Sequence, residues 1–352
     1  MKTTFVSSLA IQNAMRLTIQ QSQTDIVATQ YEMTSGQHYD LGVSLGGSTA
    51  RSLDLDRELA RMDSLKSTNS VVTLRLSASQ TALSSMATAA QTARNALTAL
   101  SGSSDVTLID NARLSVKSAL ANFTTAANQT SAGEFIFSGI NTDAKPMIDY
   151  TTSEGAGAKA AYQNALNGFM ASQTPPLTSL ADFSAAQMND FISNTLEPMY
   201  LGNDWKANWS DASDQNMTSR ISANEVVTSS TNINAVGARK FALASIIGME
   251  MLSADMKSEA RNVLSSKTIS YFSEAEAGIN AQRSELGVSE QRVKGANTAL
   301  DAQVKLMTTH KNDLDGVDTY QASLKMTSLK TQLETALTLT GRLQQLSLVN
   351  YL

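Results

Sequence analysis

The sequence predicts a mainly α protein: a long antiparallel helical or coiled-coil rod formed by N- and C-terminal arms, with a small α+β central insertion. Three observations lead there. All four prolines (Pro146, Pro175, Pro176 and Pro198) lie in the middle, leaving both flanks free of the residue that most disrupts helices. Apolar residues recur at heptad spacing in both flanks. Aromatic residues make up only 5% of the chain although 42% is hydrophobic. A large compact core recruits more rings, whereas Ala, Leu, Val, Ile and Met suit helix-on-helix seams.

In the N-terminal arm, Met62, Leu65, Val72, Leu76, Leu83, Met86, Ala90, Ala93, Leu97 and Leu100 follow alternating three- and four-residue steps, interrupted only by Asn69 and Ser79. This spacing keeps one apolar stripe facing a partner helix, over a length of about 60 Å at the helical rise. Ser101-Gly102-Ser103-Ser104 ends the run, and Asp105 is a candidate cap for a following helix near 107–132. The C-terminal arm answers with Leu286, Val293, Leu300, Met307 and Leu314 at strict sevens. Its intervening positions are weaker: Ser289, Ala296, Gln303 and His310. His310 is expected there as a buried polar residue that sets register. Met15, Met33, Met62, Met86, Met307 and Met326 read as adaptable seam fillers.

The extreme termini carry little charge. A stripe of Met15, Ile19, Ile26 and Met33 has its counterpart in Leu333, Leu337, Leu343, Leu346 and Leu348. An ordinary soluble helix has a well-charged outer face, so these two are expected to bury more than one face against other subunits. Ile11, Met15, Ile19, Ile26, Leu337, Leu343, Leu346 and Leu348 are the candidate assembly residues. Each would contribute about 1.5–3 kcal/mol once covered. The expected organisation is terminal assembly helices over 1–45 with 320–352, a rod domain over 46–133 with 226–319, and an insertion over 134–225. Within the insertion, 134–139 and 220–227 read as extended pieces and 179–200 as helical, with Trp205 and Trp209 as core anchors.

Chemistry is sparse. Gly155-Ala156-Gly157-Ala158-Lys159-Ala160 spells G-x-G-x-x-A, but the polar segment before it is no strand, so a surface loop is expected and no dinucleotide site. His38 and His310, the two histidines, have no nucleophile elbow or second ligand nearby in sequence. Asp204, Asp211 and Asp214 lack the alternating oxygen ligands and central glycine of a calcium loop. The chain has no cysteine, which excludes disulfides and thiolate sites. A net charge of −5 without a basic cluster argues against nucleic acid. No stretch suits a membrane span, and the first residues make a poor cleaved signal. No enzymatic activity, cofactor or metal is expected.

The termini resemble a known family. Ser8-Leu9-Ala10-Ile11-Gln12-Asn13-Ala14-Met15, followed by Met33-Thr34-Ser35-Gly36-Gln37, is similar to the opening helix and Ser-Gly turn of the flagellin superfamily, and 343–352 resembles its ending. Gly133-Glu134-Phe135-Ile136-Phe137-Ser138-Gly139 resembles the Tyr-Leu-Phe-Ala-Gly segment of the family's junction subunits, and Arg283-Ser284-Glu285-Leu286-Gly287 resembles a turn of helix there. Filament-forming members follow the Ser-Gly turn with Asp-Asp-Ala-Ala or Asp-Asn-Ala-Ala. This chain has Asp40-Leu41-Gly42-Val43 and then Ala50-Arg51-Ser52-Leu53, closer to a junction member. The resemblance implies a structural subunit of the bacterial flagellum, exported unfolded through the type III apparatus without signal cleavage. It would be shielded beforehand by an export chaperone. Its partners outside the cell would be other copies of itself, hook-associated protein 1 and flagellin. A filament flagellin is the alternative within the family, and a cytosolic coiled-coil signalling protein the alternative outside it.

Overall fold

The computed structural model describes residues 8–100 and 103–349, with side chains described over 10–100 and 103–342. Eleven α-helices follow one another among the described residues: α1 (Ser8–Ser35), α2 (Leu41–Leu45), α3 (Thr49–Leu100), α4 (Val106–Ala127), α5 (Ala156–Ser172), α6 (Ala185–Asp190), α7 (Glu197–Leu201), α8 (Asp204–Asn208), α9 (Val236–Ile246), α10 (Ser258–Asp315) and α11 (Thr319–Val349). Two short antiparallel hairpins accompany them: β1 (Thr130–Ser131) with β2 (Glu134–Phe135), and β3 (Thr218–Arg220) with β4 (Val226–Thr228). The chain divides into two units, Met1–Ser64 with Ala299–Leu352 and Leu65–Thr298. The protein is mainly α, as its proline distribution and periodicity require.

In the 65–298 unit, α3 and α10 run antiparallel. Their register is fixed by three contacts: Asn69 Nδ2 to Asn297 Oδ1 at 2.7 Å, Gln80 Nε2 to the Arg283 carbonyl at 2.7 Å, and Arg94 to Glu276 at 2.7 Å. The heptad positions of α3 are buried as their spacing demands, with Leu76, Leu83, Ala90, Ala93 and Leu97 shut off from solvent. Asn69 and Ser79, the two interruptions, are buried as well. Asn69 spends its amide across the seam, and Ser79 returns its hydroxyl to the Arg75 carbonyl one turn back. Along α10 the heptad is buried through Leu300, but Gln303 and His310 are exposed. His310 therefore sets no buried register: its side chain faces solvent, while α3 is reached at this level by Lys311 and Asp315, through Asp56 and Ser52. The predicted cap of α4 is present: Asp105 Oδ1 accepts from the Thr107 and Leu108 amides at 2.8 and 3.2 Å.

Helix α9 crosses α10 where glycine meets glycine. A Cβ on Gly278 would lie 2.8 Å from Gly237 Cα, so the backbones approach as closely as they do only because neither residue has a side chain. Beneath α4 and α9, Phe123 stacks on Phe241 at 3.9 Å and Phe272 meets Phe241 edge-on.

The insertion's core is a stack of rings. Tyr150 and Trp209 lie parallel at 5.4 Å, and Trp209 and Trp205 lie parallel at 5.7 Å. Lys159 sits over Tyr150 and Arg239 over Trp205, so a cation caps each end of the stack. Both tryptophans are thus core anchors. The Gly155–Ala160 segment is not a surface loop: Gly155 is packed onto the Tyr150 backbone, where a Cβ would meet the Tyr150 Cα at 2.5 Å, and α5 starts immediately after it. The expected helix over 179–200 is broken into a 3-10 turn at Leu180–Asp182, then α6, a π-helical turn at Phe191–Leu196 and α7 with Pro198 in its first turn.

Hairpin β1–β2 turns through Ala132 (φ 53°) and Gly133 (φ 86°), two left-handed residues that match the twist of the strands. Arg75 of α3 holds this hairpin by pairing with Glu134 at 2.7 Å and donating to the Phe135 carbonyl at 3.1 Å. Alanine in a left-handed conformation costs about 1 kcal/mol. Ala132→Gly should therefore raise the stability of this unit by about 0.5–1 kcal/mol, read as a higher urea midpoint with an unchanged slope. Gly278→Val should lower it by about 1–3 kcal/mol through overpacking at the α9–α10 crossing.

Candidate assembly surface

Helices α1 and α11 pack against each other in the terminal unit, antiparallel. At one end Thr340 Oγ1 lies 3.8 Å from Met15 Sδ. At the other the Val317 amide donates to the Gly36 carbonyl at 2.9 Å and the His38 amide to the Asp315 carbonyl at 3.0 Å. Residues Met15, Ile19, Ser22, Ile26, Thr29 and Met33 of α1 step by four and three along the facing side, matched by Ala322, Met326, Leu329, Leu333, Ala336 and Thr340 of α11. Enclosure is complete only at some positions: Ser22, Thr29, Ala322, Met326 and Leu329 are buried, while Met15, Ile19, Ile26 and Met33 are half-buried.

Of the eight candidate assembly residues, Met15, Ile19 and Ile26 lie on this intrachain seam and Ile11 is half-buried on the same helix. Leu337 faces solvent, 53% exposed. Leu343, Leu346 and Leu348 fall within α11, but their side chains lie outside the described residues. A second apolar row was missed by the sequence reading. Leu17, Val27 and Tyr31 of α1 are exposed, as are Tyr320, Leu324 and Leu339 of α11. The signal was present, since Ala10, Leu17, Thr24 and Tyr31 recur at sevens, offset from the Met15 row.

Between the two helices runs an open groove of about 600 Å³, lined by Met15, Thr18, Ser328, Gln332, Thr335 and Leu339 among others. Lys325 and Arg342, exposed, continue the same helical row at its two ends. The threonines on these faces direct their hydroxyl protons to their own helix: Thr18 to Ala14, Thr24 to Gln20, Thr327 to Ser323, Thr331 to Thr327 and Thr335 to Thr331. What they present outward is a methyl group and an acceptor, so covering them strands no donor.

Where α1 and α11 begin and end, the two connecting turns are stitched together. Gln37 and Gly316 form an antiparallel bridge. Gly36 takes a φ of 71°, and a Cβ on Gly316 would meet the Asn312 carbonyl oxygen at 2.3 Å. Asp315, 1% exposed, accepts from Ser52 Oγ at 3.0 Å and pairs with Lys311 at 3.2 Å, and Lys311 also reaches Asp56 at 3.1 Å. Burial pulls the Lys311 ammonium down, but hydrogen bonds and charge from Asp56 and Asp315 outweigh it and hold it above the ordinary lysine value. Tyr31 and Tyr39, both exposed, meet edge-on at 5.7 Å beside this turn.

Among the described residues no group of three or more His, Asp or Glu side chains is placed to hold a metal ion, and no helix is long and apolar enough to cross a membrane. The terminal helices, paired across the length of the sequence, thus leave several large apolar side chains exposed to solvent. Residues 6–142 match the bacterial flagellin N-terminal helical region, and residues 269–352 match the bacterial flagellin C-terminal helical region. Together these matches cover more than half of the chain, which belongs to the flagellin superfamily. Among solved structures, a Vibrio parahaemolyticus protein assigned as a flagellar hook-associated protein shares the fold at a TM-score of 0.55 and 11% identity, over 77% of this chain and 99% of that one. Comparison with curated proteins by sequence gave no match. The chain is accordingly a structural component of the bacterial flagellum.

Asp315→Ala should free the turns. The His38 and Val317 amides, which bond across them, should exchange hydrogen at least tenfold faster while amides in the α3–α10 seam keep their rates. The Lys311 contribution has a definite sign. A lysine held above its unfolded value stabilises fully below the ordinary value of 10.5 and loses that contribution as pH rises through the folded one. Exchange at these two amides, corrected for its intrinsic pH dependence, should therefore accelerate only in strongly alkaline solution, and Lys311→Met should remove that acceleration.

Proposed function

We propose that this subunit is the adaptor at the hook–filament junction, of the hook-associated protein 3 kind. It self-assembles through its terminal helices into a short layer between hook-associated protein 1 and flagellin. The observation that carries the assembly reading is the number of large apolar side chains left open on α1 and α11, with Leu17, Val27, Leu324 and Leu337 each about half or more exposed on helices with few charges. Paired helices that leave this many apolar side chains in water gain by being covered. The junction role in particular rests on the Ala50-Arg51-Ser52-Leu53 run standing where filament members carry Asp-Asn-Ala-Ala. The subunit is secreted through the flagellar type III apparatus, after release from an export chaperone, and works outside the cell. Ile11, Met15, Ile19, Ile26, Leu337, Leu343, Leu346 and Leu348 are the assembly residues in this reading. The α1 members of that set act first by pairing α1 with α11, so that the pair docks as one body.

Deleting the gene should leave hooks intact and release flagellin monomers into the medium. Loss of the filament protein itself would instead identify this chain as flagellin and overturn the junction role. Leu337→Asp separates assembly from folding, because that side chain is already exposed in the single chain. The variant should keep its circular dichroism spectrum and melting temperature but fail to support filament growth. Normal filaments from it would remove Leu337 from the interface.

A further inference from the structure

A cavity of about 470 Å³ opens where α9 crosses α10, remote in sequence from the assembly helices and unused by the function proposed above. We propose that it binds a neutral saccharide, and that the central part of this subunit thereby contacts glycans.

The floor comes from the close crossing. Gly237 and Gly278 have no side chains, and the backbones meet so tightly that a Cβ on Gly237 would stand 3.0 Å from the Gly278 carbonyl carbon. The bare faces of the two glycines are spent on each other, so a ligand beside the crossing would rest on the exposed side chains of Val236 and Ala281. This is an apolar platform for the C–H face of a sugar ring.

The walls supply both donors and acceptors in fixed positions. Gln282, one turn after Gly278, is 9% exposed. Both protons of its amide are committed, to Thr231 Oγ1 at 2.6 Å and to the Asn232 carbonyl at 3.1 Å, which leaves its carbonyl oxygen as an acceptor. Asn216 uses its carbonyl oxygen to hold Asn232 at 2.8 Å, keeping its own amide protons as donors. No side chain caps the first turn of α9, so the amide of Val236, whose side chain is exposed, is a donor too. Glu285 is exposed at the rim without an ion pair, a second acceptor. Arg239 lines the cavity with its Nε buried and unpartnered, and its plane is held over Trp205.

Charges of both signs weigh against a ligand of one sign. A phosphate or sulfate would face the Glu285 carboxylate, and also Asp214, which is itself paired with Lys206. A polyamine would face Arg239 and the positive end of α9. Vicinal hydroxyls donate and accept at once, which matches a wall that offers both and favours neither sign. A buried donor or acceptor left unmatched is costly, so a polyhydroxylated molecule is favoured over an apolar one of equal size.

The test is saturation-transfer NMR on the full chain at millimolar probe. Methyl α-glucoside, methyl β-galactoside and N-acetylglucosamine serve as sugars, with inorganic phosphate and putrescine as charged probes followed by chemical-shift titration. At least one sugar should receive saturation at its ring protons. Ala281→Trp fills the cavity from an exposed position, and Glu285→Ala removes a rim acceptor. Each should cut the transfer at least fivefold while the circular dichroism spectrum stays unchanged. Absence of transfer to all three sugars, transfer undiminished in both variants, or tighter binding of phosphate or putrescine would each overturn the assignment. None of these outcomes depends on filament assembly, so failure here leaves the junction role standing, and the reverse also holds.

Discussion

Asn69 and Asn297 meet at 2.7 Å inside a mostly apolar seam, and the same Asn69 amide holds the Ile221 carbonyl at 2.9 Å. An apolar heptad alone tolerates slippage by one repeat with little loss, since each Leu or Ala finds an equivalent neighbour. A buried amide does not, because slippage would leave it without a partner in a low-dielectric interior. With α3 and α10 locked in this register, Gln80 reaches the Arg283 carbonyl, and the β3–β4 hairpin is tied to the seam through Ile221.

Much of this was legible in the residues. The heptads of α3 and α10 announced themselves through Leu76, Leu83, Leu97, Leu286 and Val293, because long coiled-coil helices repeat one environment many times and periodicity accumulates. Asp105 was recognisable as a cap because capping is local. His310 was misjudged for the opposite reason: extending the heptad assumes that the same face keeps meeting the partner, whereas α3 is met here by Lys311 and Asp315 instead. The insertion resisted for a related cause. Gly155 looked like a loop residue, yet its lack of a side chain serves contact with Tyr150, five residues earlier, and α5 follows directly. Breaks such as the π-helical turn at Phe191–Leu196 arise from packing of Phe191 against Phe169 and Phe183, contacts that no local pattern encodes. At the terminal helices the row around Met15 drew attention because it is the more hydrophobic. The row around Leu17, spaced by sevens through Ala10 and Thr24, is diluted by small and polar residues.

That dilution has a physical logic. A surface that must remain soluble and later be covered cannot be richly apolar, nor can it carry charges that are expensive to dehydrate. Threonines whose hydroxyl protons return to carbonyls four residues back meet both conditions. They hydrate well enough, present methyl groups, and need no new acceptor when water leaves. The same device recurs on α3 at Thr81, Ser85, Thr88 and Thr92. Helices of this protein are thus faced with neutral polar residues where many soluble helices would use lysine and glutamate.

The stacking of Trp205 on Trp209, closed at its ends by Tyr150 and two cations, has an optical consequence. These are the only indoles in the chain, and both are almost wholly shielded from water. Their emission should be blue-shifted and coupled between the two rings, and it reports on the insertion alone. Events at α1 and α11 leave it dark to the observer, so intrinsic fluorescence and far-ultraviolet dichroism see different parts of the same polypeptide and can follow them separately in one cuvette.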